Sequence, residues 1–190
     1  MNNDNPPLNW KTISTRDVYE TPWIKVEHHD VITPAGTEGI YGVVRFKNIA
    51  IGVVPIDTDN HIWLVRQSRY TLGQYTWEIP EGGCPQGERP EAAAARELEE
   101  EVGIKAGVLE PILTMHLSNS VSDEYCEVFV AKNFVAGTQA LEDSEDITVK
   151  KIHFDDALQM VYQGEITDAI TVAALLRVAA DRTGFLYPEN

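Results

Sequence analysis

Glu97, Glu100 and Glu101 lie three and four residues apart in the stretch Gly82–Ile104, which reads GGCPQGERPEAAAARELEEEVGI. At about 100° per residue, that spacing puts all three carboxylates on one face of an α-helix. Like charges so close repel, so the arrangement suits a positive partner. Two or three hard divalent cations would serve: Mg²⁺ takes carboxylate oxygens, keeps water, and shares its shell with phosphate. A solvated acidic helix face is the other reading of a bare glutamate run.

The helix that must carry these groups is strongly encoded. From Pro90 to Val102 the residues are good helix formers, with Ala92–Ala95 and Leu98 among the acids. Pro90 suits the first turn, Glu91 the positive N-terminal end, and Gly103 the C′ position that stops a helix. Ala95, Leu98 and Val102 are expected to face a core, with the carboxylates opposite them.

The wider spacing is more specific. Gly82, Glu88, Arg96-Glu97-Leu98, Glu100-Glu101 and Gly103-Ile104 fit Gly-x5-Glu-x7-Arg-Glu-U-x-Glu-Glu-x-Gly-U at every specified position, U being a bulky aliphatic residue. The stretch resembles the signature of the Nudix hydrolases, and a chance fit at one starting point is on the order of 10⁻⁹. The resemblance implies an α/β fold, an α/β/α sandwich with mixed sheets, and hydrolysis of a diphosphate joined to another group. It implies that Glu97 and Glu101 hold Mg²⁺ (Mn²⁺ as substitute), with Glu100 close behind and the Glu81 backbone carbonyl adding a ligand. Arg96 and Glu88 are then the ion pair that orients Glu97, Gly82 and Gly103 are structural, and Glu99 is surface. The general base varies in this family and often comes from another loop. Glu145 and then Glu142 are the candidates, in an acidic segment that also reads as a plain exposed loop.

Residues flanking the signature narrow the resemblance. Trp23-Ile24-Lys25-Val26-Glu27, Pro34-Ala35-Gly36, Gln67-Ser68-Arg69 and Glu78–Gly83 are similar to the ADP-ribose and nucleotide-sugar pyrophosphatase branch. That implies ADP-ribose as substrate, cleaved to AMP and ribose 5-phosphate. GDP-mannose or another nucleoside diphosphate sugar is the alternative, then a nucleoside triphosphate. A catalytically silent module that senses nucleotide sugars is the non-enzyme alternative, and the retained Glu97, Glu100 and Glu101 speak against it. The branch implies that Trp23 stacks on the base and Arg69 binds phosphate, with Arg66 and Glu78 lesser candidates for the same cleft. Stacking is worth roughly 1–3 kcal/mol per base, and a guanidinium meets phosphate oxygens bidentately. A core strand residue and a surface ion pair are the plainer readings of Trp23 and Arg69. The chain departs from the branch where a Ser-Pro-Gly segment is common: it has Leu117–Glu124 instead, so that wall of the pocket is built differently, and Glu124 is a candidate to point into it.

Composition bounds the rest. The chain has 190 residues, 43% hydrophobic, with 30 acids against 15 bases and a net charge of −15. That field repels nucleic acid and anionic membrane, leaving a small-molecule substrate. No run approaches the ~20 apolar residues of a membrane span, and the opening MNNDNPPLNW lacks the pattern of a secretion signal. Cys84 and Cys126 read as reduced thiols, so the expected location is cytoplasmic. His28, His29, His61, His116 and His153 read as structural or surface residues.

Residues 1–9 are expected to be a disordered leader. Residues 10–46 form an expected antiparallel arm, strand-like from Trp10 to Ile32 and again from Tyr41 to Phe46, serving base binding and a homodimer. Residues 47–190 form the hydrolase domain. Its expected strands are 49–54 (covered on both faces), 62–67, 75–79, 107–117, 124–131 and 147–154. Expected loops cover 82–87 and 133–146, and expected helices follow at 155–162 and 167–182.

Overall fold

The computed structural model describes residues 9–141 and 146–182. The expected leader, apart from Asn9, and the general-base candidates Glu142 and Glu145 lie outside the described residues. The chain divides into two compact units, Met1–Lys47 with Ser118–Glu124, and Asn48–Leu117 with Tyr125–Asn190.

The first unit is an antiparallel sheet of β1 (Lys11–Glu20), β2 (Ile24–Ile32) and β3 (Glu38–Phe46), in that order. The strand-like run from Trp10 to Ile32 is therefore two strands. Pro22 has no N–H to give a ladder. Thr21 Oγ1 accepts from the N–H groups of Trp23 (3.2 Å) and Ile24 (3.1 Å), and this local bond turns the chain. Ser118–Glu124, nearly all of the segment that departs from Ser-Pro-Gly, belongs to this unit and docks on β3. There the Val44 N–H donates to the Val121 carbonyl (2.8 Å) and the Phe46 N–H to Asp123 Oδ1 (2.9 Å).

The second unit begins with β4 (Ile49–Pro55), β5 (His61–Arg69), β6 (Gln74–Glu78), β7 (Glu81–Cys84) and α1 (Pro90–Val102). It continues with β8 (Ile104–Lys105), β9 (Val108–His116), β10 (Tyr125–Lys132), β11 (Val135–Ala136) and β12 (Thr148–His153), and closes with α2 (Phe154–Tyr162) and α3 (Ala169–Arg182). One sheet runs β7-β4-β10-β9, mixed because β4 and β10 are parallel, and another runs β12-β5-β6. The apolar run in β4 is covered on both faces, as its composition requires. Ile51 and Val53, with Phe129 and Ala131 of β10, pack against Ala93, Ala94 and Leu98 of α1. Val54, Val128 and Val130 pack on the other side with Ala157 of α2 and Ile170, Ala174 and Leu175 of α3. The result is the expected α/β/α sandwich.

Three details differ from the expectations. Residues 81–84 form a strand rather than a loop, because pairing with β4, from Ile49↔Cys84 to Gly52↔Glu81, overrides the weak strand preference of glycine. Val135–Ala136 makes a short ladder with β8 inside the expected loop 133–146. On α1 the buried residues are Ala93, Ala94 and Leu98, while Ala95 and Val102 are only half-buried. The same helix buries Glu97 and Glu101, at 7% and 1% exposure, so these carboxylates do not stand on an open face. Gly103 ends α1 in the left-handed region (φ 69°), where its N–H reaches the Glu99 and Leu98 carbonyls. Among the described residues no helix is long and apolar enough to cross a membrane. Cys84 and Cys126 are free and buried.

Candidate active site

β7 and α1 meet where the signature begins and ends. A Cβ built on Gly82 would lie 1.9 Å from Cδ of Glu97, so only glycine lets that carboxylate rest against the strand backbone. One residue earlier, the Glu81 N–H donates to Glu101 Oε2 at 3.1 Å. Arg96 ties the surroundings together. Its Nη1 donates to Glu97 Oε1 (2.8 Å) and Glu100 Oε2 (3.0 Å), and its Nη2 to the Gly83 carbonyl (2.8 Å) and Glu88 Oε2 (3.1 Å). The bond to Glu88, followed by the charge and bond of Glu97 and the bond to Glu100, outweighs burial and holds the guanidinium firmly protonated.

A second cluster forms on the β5–β6 hairpin. Glu78 is 1% exposed and accepts from Arg69 Nε at 2.9 and 3.1 Å, from Arg69 Nη2, from Gln67 Nε2 at 3.3 Å, and from the Thr76 hydroxyl. Side chains alternate along a strand, so Gln67 and Arg69 share a face and Arg66 takes the other. Arg66 stacks over the Tyr75 ring at 4.9 Å. The hairpin thus joins Arg69 to Glu78 and does not bring Arg66 beside them. Burial works against the charge on Arg69, but Glu78, Glu81 and Asp168 together outweigh it.

The Glu81 side chain, 8% exposed, bridges these groups: it lies 3.9 Å from Arg69 Nη2 and accepts from the Thr171 hydroxyl at 3.1 Å. Burial first, then the neighbouring Asp168 and Glu78, push its carboxyl well above the usual carboxylate range, with Arg69 offsetting part of the effect. Asp168 and Thr171 were not among the expected site residues. Their only sequence signal is an acid three residues ahead of threonine at a helix start, which reads as a cap. Asp168 does cap α3, accepting from the Thr171 N–H at 2.7 Å.

The remaining candidates lie in the first unit. Trp23 is 68% exposed, so it is not a core residue of that sheet. Glu124 is half-buried, and desolvation raises its carboxyl. Thr12, His29, Tyr41, Val43, Arg45 and the segment 119–123 line an open depression of about 310 Å³.

Among the described residues no three acidic, histidine or cysteine side chains already converge to hold an ion. The carboxylates turn instead toward Arg96 and the Glu81 amide. The donor chemistry nevertheless fits a hard divalent cation. Glu97, Glu100 and Glu101 are oxygen donors beside a backbone made accessible by glycine, and Arg96 brings a single positive charge to Glu88, Glu97 and Glu100.

Comparison with known proteins agrees with this architecture. The family described as NUDIX domain matches residues 46–174, and the nucleoside diphosphate sugar hydrolase N-terminal domain matches residues 10–44. An ADP-ribose pyrophosphatase of Mycobacterium tuberculosis is 31% identical over 183 residues, covering 95% of this chain and 88% of that protein. An ADP-ribose pyrophosphatase of Bacillus subtilis is 32% identical over 170 residues, covering 88% and 91% respectively. A crystal structure of an ADP compounds hydrolase superposes with a TM-score of 0.85 over 95% of this chain and 98% of that one; at 21% identity it supports the fold alone. The chain belongs to the Nudix hydrolase family. Within it, the chain is a pyrophosphatase of the nucleoside diphosphate sugar class.

Proposed function

We propose that the protein hydrolyses ADP-ribose to AMP and ribose 5-phosphate with Mg²⁺ as cofactor. The observation that carries this reading is the junction of β7 and α1, where Gly82 admits the Glu97 carboxylate and the Glu81 amide holds Glu101. The names of the two ADP-ribose pyrophosphatase relatives, each matching most of the chain, favour ADP-ribose among nucleotide sugars. Glu97 and Glu101, with Glu100 and the Glu81 carbonyl, would hold the metal. When bound, Mg²⁺ polarises phosphoryl oxygens and lowers the pKa of a water. Arg96 and Glu88 hold Glu97 and Glu100 in place, and Arg69, oriented by Glu78, receives a phosphate oxygen. Glu145, then Glu142, is assigned to take the proton of the attacking water.

Residues 10–46 serve the base, through Trp23, and a homodimer. In support of the dimer, the arm leaves the apolar side chains Ile13 (56%), Tyr19 (60%) and Ile40 (71%) exposed, and a second copy would shield them. Light scattering at micromolar concentration is expected to give twice the chain mass, and a monomer would refute the dimer. The free thiols of Cys84 and Cys126 accord with a reducing, cytoplasmic setting.

The test of the activity is a panel of nucleotide sugars and triphosphates with Mg²⁺. ADP-ribose is expected to have the highest kcat/KM and to yield AMP. Release of no nucleoside monophosphate from any compound would defeat the assignment, and a GDP-mannose preference would replace the substrate.

A further inference from the structure

Thr171 is fully buried at the start of α3, and its hydroxyl makes bonds in both directions. It accepts from the Ile79 N–H at 3.0 Å and donates to Glu81 Oε1 at 3.1 Å. The residue between these partners, Pro80, is gripped from the other side, its carbonyl accepting from the Val53 N–H of β4 at 2.9 Å. Segment 79–81 is thus held by β4 on one flank and by the first turn of α3 on the other. That turn is itself fixed, because Asp168 accepts from the Thr171 N–H at 2.7 Å. The Glu81 N–H in turn fixes Glu101 Oε2 at 3.1 Å.

We propose that Thr171 is a positioning residue for the metal site, acting through Ile79 and Glu81 to set where the Glu81 backbone and the Glu101 carboxylate sit. The proposal rests on the metal-site reading given above. The geometry demands a group that donates and accepts at once, which a hydroxyl does and a methyl does not. Valine keeps the shape of threonine but removes both bonds, leaving the buried Ile79 N–H and a Glu81 oxygen without this partner. Serine keeps the hydroxyl. Outer partners of metal ligands orient those ligands, and removing one typically costs about 10- to 100-fold in metal affinity.

The test is Mn²⁺ binding to the full chain without substrate, read by titration calorimetry, alongside activity at varied Mg²⁺. Thr171→Val is expected to weaken Mn²⁺ binding about 10-fold or more, the range seen when outer partners of metal ligands are removed. The Mg²⁺ concentration for half-maximal activity should rise in parallel, with the substrate KM at saturating metal little changed. Thr171→Ser should restore the wild-type behaviour. Thr171→Ala carries the same expectation as the valine variant and replaces it if valine prevents folding. Folded Val or Ala variants that bind Mn²⁺ as tightly as wild type would overturn the proposal alone. A wild-type chain that binds no Mn²⁺ would overturn the metal-site reading and the proposal with it.

Discussion

Glu27 in the arm sheet and Glu81 at the start of β7 are both largely shielded from solvent, yet their surroundings are opposite in sign. Lys25 Nζ lies 2.7 Å from Glu27 Oε1, while His29 Nε2 and Arg45 Nε each lie 3.1 Å from Oε2. Lys25 first, then His29 and Arg45, hold the Glu27 carboxyl down at about 2. Glu81 instead faces Asp168 and Glu78, with Arg69 working in the other direction. Around Glu27, acid meets base within the sheet. At the junction of β7, α1 and α3, acids are gathered together, at a cost in stability that a bound cation would offset. Under the proposed function, the contrast separates a carboxylate paired within the fold from carboxylates placed for metal binding.

The largest effect that would break this contrast is at Glu101. Glu101→Gln should retain the fold but lower kcat/KM by more than about 100-fold, above the usual loss for an outer partner of a metal ligand. Nucleoside monophosphate release near the wild-type rate would show that this carboxylate is structural, like Glu27. A smaller loss, about 10-fold, is expected for Gly82→Ala, because the new Cβ must push Glu97 from its place against the strand. Unchanged kinetics in that variant would mean the close approach of Glu97 is not needed. The smallest effect concerns pH. A carboxyl depressed in the folded state adds stability above its unfolded pKa, near 4.5, and loses it as pH falls toward about 2. The melting temperature of Glu27→Gln should therefore lie below wild type at pH 7, with the gap narrowing below pH 4.5. A gap that stays constant down to pH 3 would show that the Lys25, His29 and Arg45 pairing contributes little.

What could be read from the chain alone follows the range of each interaction. Helix α1 was legible because propensity, the first-turn proline and the stopping glycine all act within one segment, and the signature glutamates are counted along it. β7 carries no local signal of a strand because its strand character comes from pairing with β4, some thirty residues away in the chain. The break at Thr21–Trp23 depends on which side-chain oxygen captures which amide, and alternating apolar residues do not encode that.

The residue types and spacing between Gly82 and Ile104 determined by themselves that acids would cluster on one helix, because α-helical geometry converts three- and four-residue steps into proximity. Only the tertiary structure decided which groups surround those acids. Thr171 and Asp168 reach Glu81 across about ninety residues of chain. Arg69 and Arg66 separate because strand pleating turns them to opposite faces, and Glu97 and Glu101 are buried because β7 closes over α1. Contacts of that range are set by how sheets and helices pack, and no local pattern in the chain announces them.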